Sequence, residues 1–268
     1  MSVNGRSSAS TLRSATDALR SAGCVFAEQE AELLVSAARD DAELTAMLQR
    51  RCSGLPLEQV LGWTDFCGLR ISVAPGVFVP RRRTGFLVHQ AAAVALRGDG
   101  RAVIVDLCCG SGAVGAALAA AVLGRVELHA ADIDPVAVRC AHANLLACGG
   151  HTYEGDLYGP LPSRLRGRVD VLVANAPYVP TEAIALMPAE ARLHEPLIAL
   201  DGGKDGLDVQ RRVIAGAAWW LAPGGRLLVE TSEHQAAGTV AACERSGLSA
   251  RLVRSEELDA TVVVAGTC

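Results

Sequence analysis

Four polar side chains stand where apolar runs stop in the C-terminal part of this 268-residue chain. Asp106 lies at the end of "RAVIVDL", four residues before the first glycine of Gly110-x-Gly112-x-x-Gly115 in "VDLCCGSGAVG". Asp132 closes "VELHAAD", 20 residues after Gly112. Asp156 follows in "YEGDLY", next to Leu157. The fourth is uncharged. Asn175 ends "VDVLVAN" and opens the stretch Asn175, Ala176, Pro177, Tyr178, a proline-stiffened turn carrying one amide and one aromatic ring.

A glycine pattern of this kind between a strand and a helix fits, by itself, a dinucleotide site. An acid inside the turn would repel a pyrophosphate, but it suits a ligand carrying an ammonium and a sulfonium. S-adenosylmethionine is such a ligand. On this reading Asp106, Gly110 and Gly112 surround its amino-acid part, the glycines letting the backbone come close. Asp132 accepts from both ribose hydroxyls. Asp156, with Leu157 beside it, accepts from the exocyclic amine of adenine, and Asn175 completes the expected cofactor set. The plainer alternative is that the glycines pack helix against strand and the acids cap helices. Three acids at successive strand ends, in order, favour the cofactor.

The bulk numbers set limits on the rest. Half the residues are hydrophobic and a fifth are charged, so a sizeable core is available and disorder is disfavoured. A net charge of -4 argues against nucleic acid as a partner for the whole surface. One stretch runs the other way: residues 59–100 hold Arg70, Arg81, Arg82, Arg83 and Arg97 against Asp65 and Asp99, a local +3. The polar start "MSVNGRSSAS" lacks the apolar segment of a secretory signal. No apolar run nears the roughly 18 residues of a membrane span, so a cytoplasmic protein away from membranes is expected. The nine cysteines form no CxxC pair and show no Cys/His spacing suited to zinc, so no metal site is expected. Most read as reduced core residues; for the adjacent Cys108 and Cys109 that reading is favoured over a redox-active pair.

The elements that must position these groups fall into two textures. Residues 10–52 show helical spacing (Leu12, Ala15, Leu19, then Ala31, Leu34, Val35, Ala38), with a helix end at Gly23. Three or four short helices are expected there, a small domain over 1–56. Residues 57–100 read as a linker whose stretch "FCGLRISVAPGVFV" makes two short strands around Pro75 and Gly76. From 101 to 268 strand and helix alternate: "RAVIVDL", "SGAVGAALAAAVL", "VELHAAD", "DPVAVRCAHANLLA", "VDVLVAN", "LDVQRRVIAGAAWWL", "RLLVETS". The last of those helices is expected to stop at Pro223, Gly224 and Gly225, and two more strands to follow near 248–254 and 260–265. Such alternation predicts an α/β fold, a mainly parallel sheet covered on both faces. Ligands of such sheets bind beyond the carboxyl ends of the strands.

From about 57 to 235 the chain resembles the HemK/PrmC-type protein-(glutamine-N5) methyltransferases. Their signatures are NPPY, a "VDLGTGSG"-like loop, a "PRPETE"-like segment before it, and an "EP..AL.GG.DGLD" stretch after NPPY. Here these read "NAPY" (175–178), "VDLCCGSG" (105–112), "PRRRTG" (80–85) and "EPLIALDGGKDGLD" (195–208). The last is the most specific, being long. Three departures stand out: Ala176 for the first proline, Cys108 for the first loop glycine, and Arg82, Arg83 and Gly85 for a proline and two acids. The resemblance implies a class I, Rossmann-like, S-adenosylmethionine-dependent methyltransferase sheet with a small helical substrate-recognition domain joined by a β-hairpin.

The chemistry it implies explains the neutral strand end. A planar amide nitrogen is a poor nucleophile, so its lone pair must be held along the S–CH3 axis. The side-chain oxygen of Asn175 and the carbonyl of Ala176 are two acceptors for its N–H bonds, and they absorb the charge growing on nitrogen. Pro177 restricts the residue before it, and Tyr178 packs a ring against the amide or methyl. Asn175, Ala176, Pro177 and Tyr178 are therefore the expected catalytic set, with Glu195 outside it. The implied substrate is a glutamine side chain of a protein, the GGQ loop of a peptide chain release factor first and a ribosomal protein second. Two alternatives remain: N-methylation of an exocyclic base amine in RNA or DNA, which the arginines favour and the overall acidity opposes, and a cofactor-binding module without transferase activity. The arginine triplet 81–83 is expected to dock substrate.

Overall fold

The computed structural model describes residues 4–97, 100–123 and 125–267; Asp99 of the basic stretch and the ends of the outer domains, 1–3 and 268, lie outside the described residues. Four helices come first: α1 (Asn4–Ser21), α2 (Ala27–Ala37), α3 (Asp41–Cys52) and α4 (Leu57–Leu61). Their apolar stripes meet in one cluster of Ala15, Leu19, Ala31, Leu34, Leu44 and Val60. Gly23 follows α1 at φ +87°, a conformation glycine takes without strain. Asp40 caps α3 by accepting from the Glu43 N–H at 2.8 Å.

A hairpin of β1 (Trp63–Phe66) and β2 (Leu69–Ser72) follows. Its turn is Cys67-Gly68, not Pro75-Gly76. Cys67 and Gly68 both take positive φ, +50° and +78°, the twist that a two-residue hairpin loop requires. Proline has no N–H for a ladder, and the stretch after Ser72 runs as a loop closed by Val77 N–H donating to Ala74.

The rest is α5 (Gly85–Ala95), β3 (Ala102–Leu107), α6 (Ala113–Ala121), β4 (Val126–Asp132), α7 (Pro135–Leu145), β5 (His151–Glu154), β6 (Val169–Ala174), α8 (Ala189–His194), α9 (Asp208–Ala217), β7 (Leu221–Thr231), α10 (Ala236–Arg245), β8 (Ser249–Ser255) and β9 (Ala260–Gly266). Seven strands form one sheet in the order β5-β4-β3-β6-β7-β9-β8. All neighbours are parallel except β9, which is antiparallel to both β7 and β8. Alternate side chains divide the core. Ile104, Leu128, Ala130, Val171 and Val173 face α5, α6 and α7, and Val103, Val105, Leu172 and Val229 face α9 and α10. The helical layer thus begins at Gly85, ahead of the expected start at 101. Its Leu87, Val88 and Ala91 pack in the same cluster as Ile104 and Val173.

Pro223, Gly224 and Gly225 do not end a helix. They lie inside the span of β7, opposite an irregularity in β6 between Val169 and Val171. Gly225 is required by closeness: a Cβ there would come within 2.5 Å of the Val169 carbonyl oxygen. The extra residues are absorbed as a bulge, and α9 stops earlier, at Ala217. Because the chain winds from β3 to β4 on one side and from β6 to β7 on the other, a crevice opens between the carboxyl ends of β3 and β6.

Candidate active site at the strand ends

A cavity of about 250 Å³ occupies that crevice. It is lined by Asp106, Cys108, Gly110, Asp132, Asp156 and Leu157 at one end, and by Asn175, Ala176, Pro177 and Tyr178 at the other. The residues expected to hold cofactor and those expected to do chemistry therefore share one space; Gly112 stands just behind it.

The glycine loop is explained residue by residue. Gly110, at φ +55°, donates its N–H to the Asp132 carboxylate at 2.8 Å, and Gly115 donates to Asp106 at 3.0 Å. Gly112 serves packing: at φ +77°, any Cβ would meet the Ala141 backbone of α7 at 3.0 Å. Both readings of the glycines hold, at different positions. Cys108, where related loops carry glycine, sits at φ +56°, a left-handed conformation that costs an L-residue ~1–2 kcal/mol. Leu157, at φ +48°, is the second strained residue on the cavity wall. Burial pushes the Cys108 and Cys109 thiols well up, so neither is a ready thiolate.

The acids differ in what they lack. Asp106 is only 2% exposed, and no arginine or lysine among the described residues pairs with it. Burial raises its pKa to about 7, against one lowering hydrogen bond from Gly115. A buried carboxyl in that condition is short of a cation, and an amino group of a ligand would supply one. Asp132 accepts from Gly110 and from the Asp134 N–H at 3.0 Å, leaving further lone pairs toward the cavity, and burial raises its pKa as well. Asp156 already has a partner: Arg212 of α9, also on the cavity wall, donates to it. A glycine cradle, an unpaired buried acid and a second acid with spare lone pairs fit the amino-acid and ribose parts of S-adenosylmethionine. Asp156 would have to share Arg212 to serve the adenine.

At the neutral end, Asn175 Nδ2 donates to the Thr84 hydroxyl at 3.3 Å. No described residue donates to Asn175 Oδ1 or to the Ala176 carbonyl, so both acceptors remain available. The turn is held from behind, Gln235 donating to the Tyr178 carbonyl at 2.8 Å and Val179 N–H to Leu200 at 3.0 Å. Tyr178 is half-buried, and the loss of solvent around its hydroxyl raises the pKa and keeps it neutral.

The arginine triplet divides three ways. Arg81 donates to both oxygens of buried Glu195, at 2.6 and 2.7 Å, and Glu195 also accepts from the Val79 N–H. Arg83 donates to the Tyr178 hydroxyl and brings its Nε to 3.6 Å from Glu230. Arg82 is exposed and makes no ion pair among the described residues. A single docking role for the triplet is thus replaced by an anchor, a site residue and a free surface charge. Three residues missed in the sequence belong to this region: Thr84 and Arg212 on the cavity wall, and Glu230 beside Arg83 and Thr84. Glu230 had a visible signal, an acid inside the apolar run "LLVET". Thr84 and Arg212 had none.

Apolar side chains also line the cavity, among them Phe66 and Phe78 from the hairpin region and Met187 and Ile198 from the segment after the Asn175 turn. The segment bearing Met187 and Ile198 is tied to the helical unit. Arg51 of α3, nearly buried, bonds Glu30 of α2 at 2.6 Å and Glu190 of α8 at 2.8 Å. Among the described residues no helix is long and apolar enough to cross a membrane.

Residues 91–187 match the ribosomal protein L11 methyltransferase (PrmA) family. Over longer spans the chain is 36% identical to a release factor glutamine methyltransferase of Geobacter sulfurreducens, covering 75% of this chain and 69% of that one. It is 35% identical to a release factor glutamine methyltransferase of Mycolicibacterium smegmatis, covering 88% of each. Among solved structures, a methyltransferase from Pyrococcus furiosus superposes with a TM-score of 0.52 at 16% identity, covering 74% of this chain and 88% of that one. The last supports the fold: a class I methyltransferase sheet.

Proposed function

We propose, from the premise that the chain belongs to the release factor glutamine methyltransferase family, that it methylates the side-chain amide nitrogen of a glutamine in a protein. The GGQ loop of a peptide chain release factor is the first candidate, and the reaction belongs in the cytoplasm, where such factors act. S-adenosylmethionine, when bound, supplies an electrophilic methyl group on a sulfonium. Asp106 and the glycine loop would hold its amino-acid part and Asp132 its ribose.

The observation that carries this reading is a pair of unoccupied neutral acceptors, Asn175 Oδ1 and the Ala176 carbonyl, at the methyl-accepting end of an otherwise acidic cavity. The two oxygens grip the two N–H bonds of a primary amide and turn its face toward the methyl donor. As the nitrogen becomes positive, both hydrogen bonds strengthen. The proton then leaves an acidic quaternised nitrogen, so no strong base is needed, in keeping with a neutral Tyr178. The apolar part of the lining would exclude water around the reacting pair. Helices α1–α4 would recognise the folded part of the substrate, the Arg51–Glu190 pair holding them against the cavity rim.

Incubation with methyl-labelled S-adenosylmethionine and an unmethylated release factor tests this. Label on the glutamine of the GGQ loop supports it. Label entering RNA or DNA of a lysate, and not protein, would overturn it.

A further inference from the structure

Glu230, near the carboxyl end of β7, is 2% exposed, and neither of its carboxylate oxygens has a hydrogen-bond partner. A buried carboxyl left in that state is costly, and nothing in the methylation chemistry above uses it. Its nearest cation, Arg83, stands off at 3.6 Å and gives a hydrogen bond to Tyr178 instead. Its other neighbour is the Thr84 side chain. Burial pushes the pKa of the Glu230 carboxyl up; Thr84 and Arg83 oppose that only in part, and neither contact reaches hydrogen-bond geometry.

Thr84 is itself buried and lies between two groups. On one side its hydroxyl oxygen accepts from Asn175 Nδ2 at 3.3 Å. A hydroxyl has one proton; with its oxygen accepting from Asn175, that proton is left for the acceptor on the other side, which is Glu230. The order then has one sense: Asn175 donates to Thr84, and the Thr84 proton is left to turn toward Glu230, whose carboxyl stands beside it without a hydrogen bond. The consequence lies at the far end. An asparagine side chain has two orientations, related by a half-turn, and only one presents Oδ1 to the cavity. With Nδ2 committed to Thr84, Oδ1 must face the substrate.

We propose that Thr84 and Glu230 are positioning residues that lock the Asn175 amide in the orientation that accepts from the substrate nitrogen. A carboxyl oxygen beside Thr84 gives the hydroxyl proton somewhere to point other than Asn175, and leaves the Thr84 oxygen to accept from Nδ2. The proposal rests on the role given to Asn175 under the proposed function and adds two residues to it.

The experiment is single-turnover methylation at saturating cofactor, on the full chain, with a thermal melt and cofactor titration for each variant. Thr84→Val keeps the shape and removes the hydroxyl. It should lower kcat ~10–100-fold, the scale on which the outer partner of a functional side chain matters, with cofactor Kd within about twofold of wild type. Thr84→Ser should recover most of the rate, and Glu230→Gln, which keeps an acceptor oxygen, should retain more than Glu230→Met. The deciding measurement is Thr84→Val in an Asn175→Ala background, where a residue acting through Asn175 has nothing left to orient and should add no further loss. An undiminished loss there, or wild-type rates for Thr84→Val alone, would overturn the proposal while leaving the amide-gripping role intact. Wild-type rates for Asn175→Ala would instead remove that role, and this proposal with it.

Discussion

The two ends of the cavity are built from equivalent positions, the carboxyl ends of neighbouring parallel strands, and they are chemically opposite. On β3 and β4 the strand ends carry buried Asp106 and half-buried Asp132, both acids with raised proton affinity. After β6, one strand over, the chain presents an amide and a backbone carbonyl. Under the proposed function, the acidic end would meet charge already present on a ligand in the ground state. The neutral end would meet charge that appears only as a bond forms, its hydrogen bonds strengthening with the reaction. On that proposal topology supplies the positions, and residue type decides whether each binds or catalyses.

Breaking the neutral end should have the largest effect. Asn175→Ala should lower kcat by roughly 10²–10³, as for loss of one preorganised partner of transition-state charge, with little change in cofactor affinity by calorimetry. Asn175→Asp should retain more activity than alanine. A large loss of cofactor affinity in Asn175→Ala would erase the contrast.

Breaking the acidic end should do the converse. Asp132→Ala should weaken cofactor binding by about 1.5–3 kcal/mol, the value of hydrogen bonds to a charged group, with the rate at saturating cofactor largely kept. Titration calorimetry beside single-turnover rates would separate the two parameters; unchanged affinity removes Asp132 from the ribose site.

Asp106 sharpens the comparison through pH. Its folded pKa of about 7 lies above the ordinary 3.8. Its contribution to stability is therefore fully present below about 3.8 and is lost as pH rises through about 7. A ligand ammonium favours the ionised form, so binding must release a proton below pH 7. Affinity should fall roughly tenfold per pH unit below that point, and Asp106→Asn should flatten the dependence while raising the apo melting temperature at pH 8. Calorimetry in two buffers of different ionisation enthalpy measures the proton released; its absence at pH 6 would show that Asp106 meets no cation.

The smallest effect belongs to the rim. Arg82→Glu should raise substrate KM only a few-fold and weaken its salt dependence, as expected of an exposed charge, with kcat and cofactor Kd unchanged. Arg81→Glu differs because it strands buried Glu195 without its partner, so it should show first as a lowered melting temperature. Equal behaviour of the two variants would return the triplet to a single role.

Much of this was readable before any coordinates. Alternating apolar runs forced a parallel sheet, because runs buried on both faces need helices above and below. Strand-end acids and the asparagine then had to converge at one edge. In the sequence Pro75-Gly76 is a stronger turn signal than Cys67-Gly68, although proline cannot serve a ladder, and the hairpin turns at the weaker one. Pro223, Gly224 and Gly225 resemble a helix stop in the sequence, whereas the irregularity they oppose in β6 exists only in the pairing of the two strands.

By itself the sequence determined the sheet, the order of the strand-end groups and the nature of each group, since these follow from periodicity and from one residue's chemistry at a time. Only the tertiary structure decided which charges were already neutralised. Arg81 with Glu195, Arg212 with Asp156, and Thr84 between Asn175 and Glu230 join residues from 56 to 146 positions apart. Whether a side chain is free to act depends on partners brought by packing, and no local pattern in the chain records where packing will bring them.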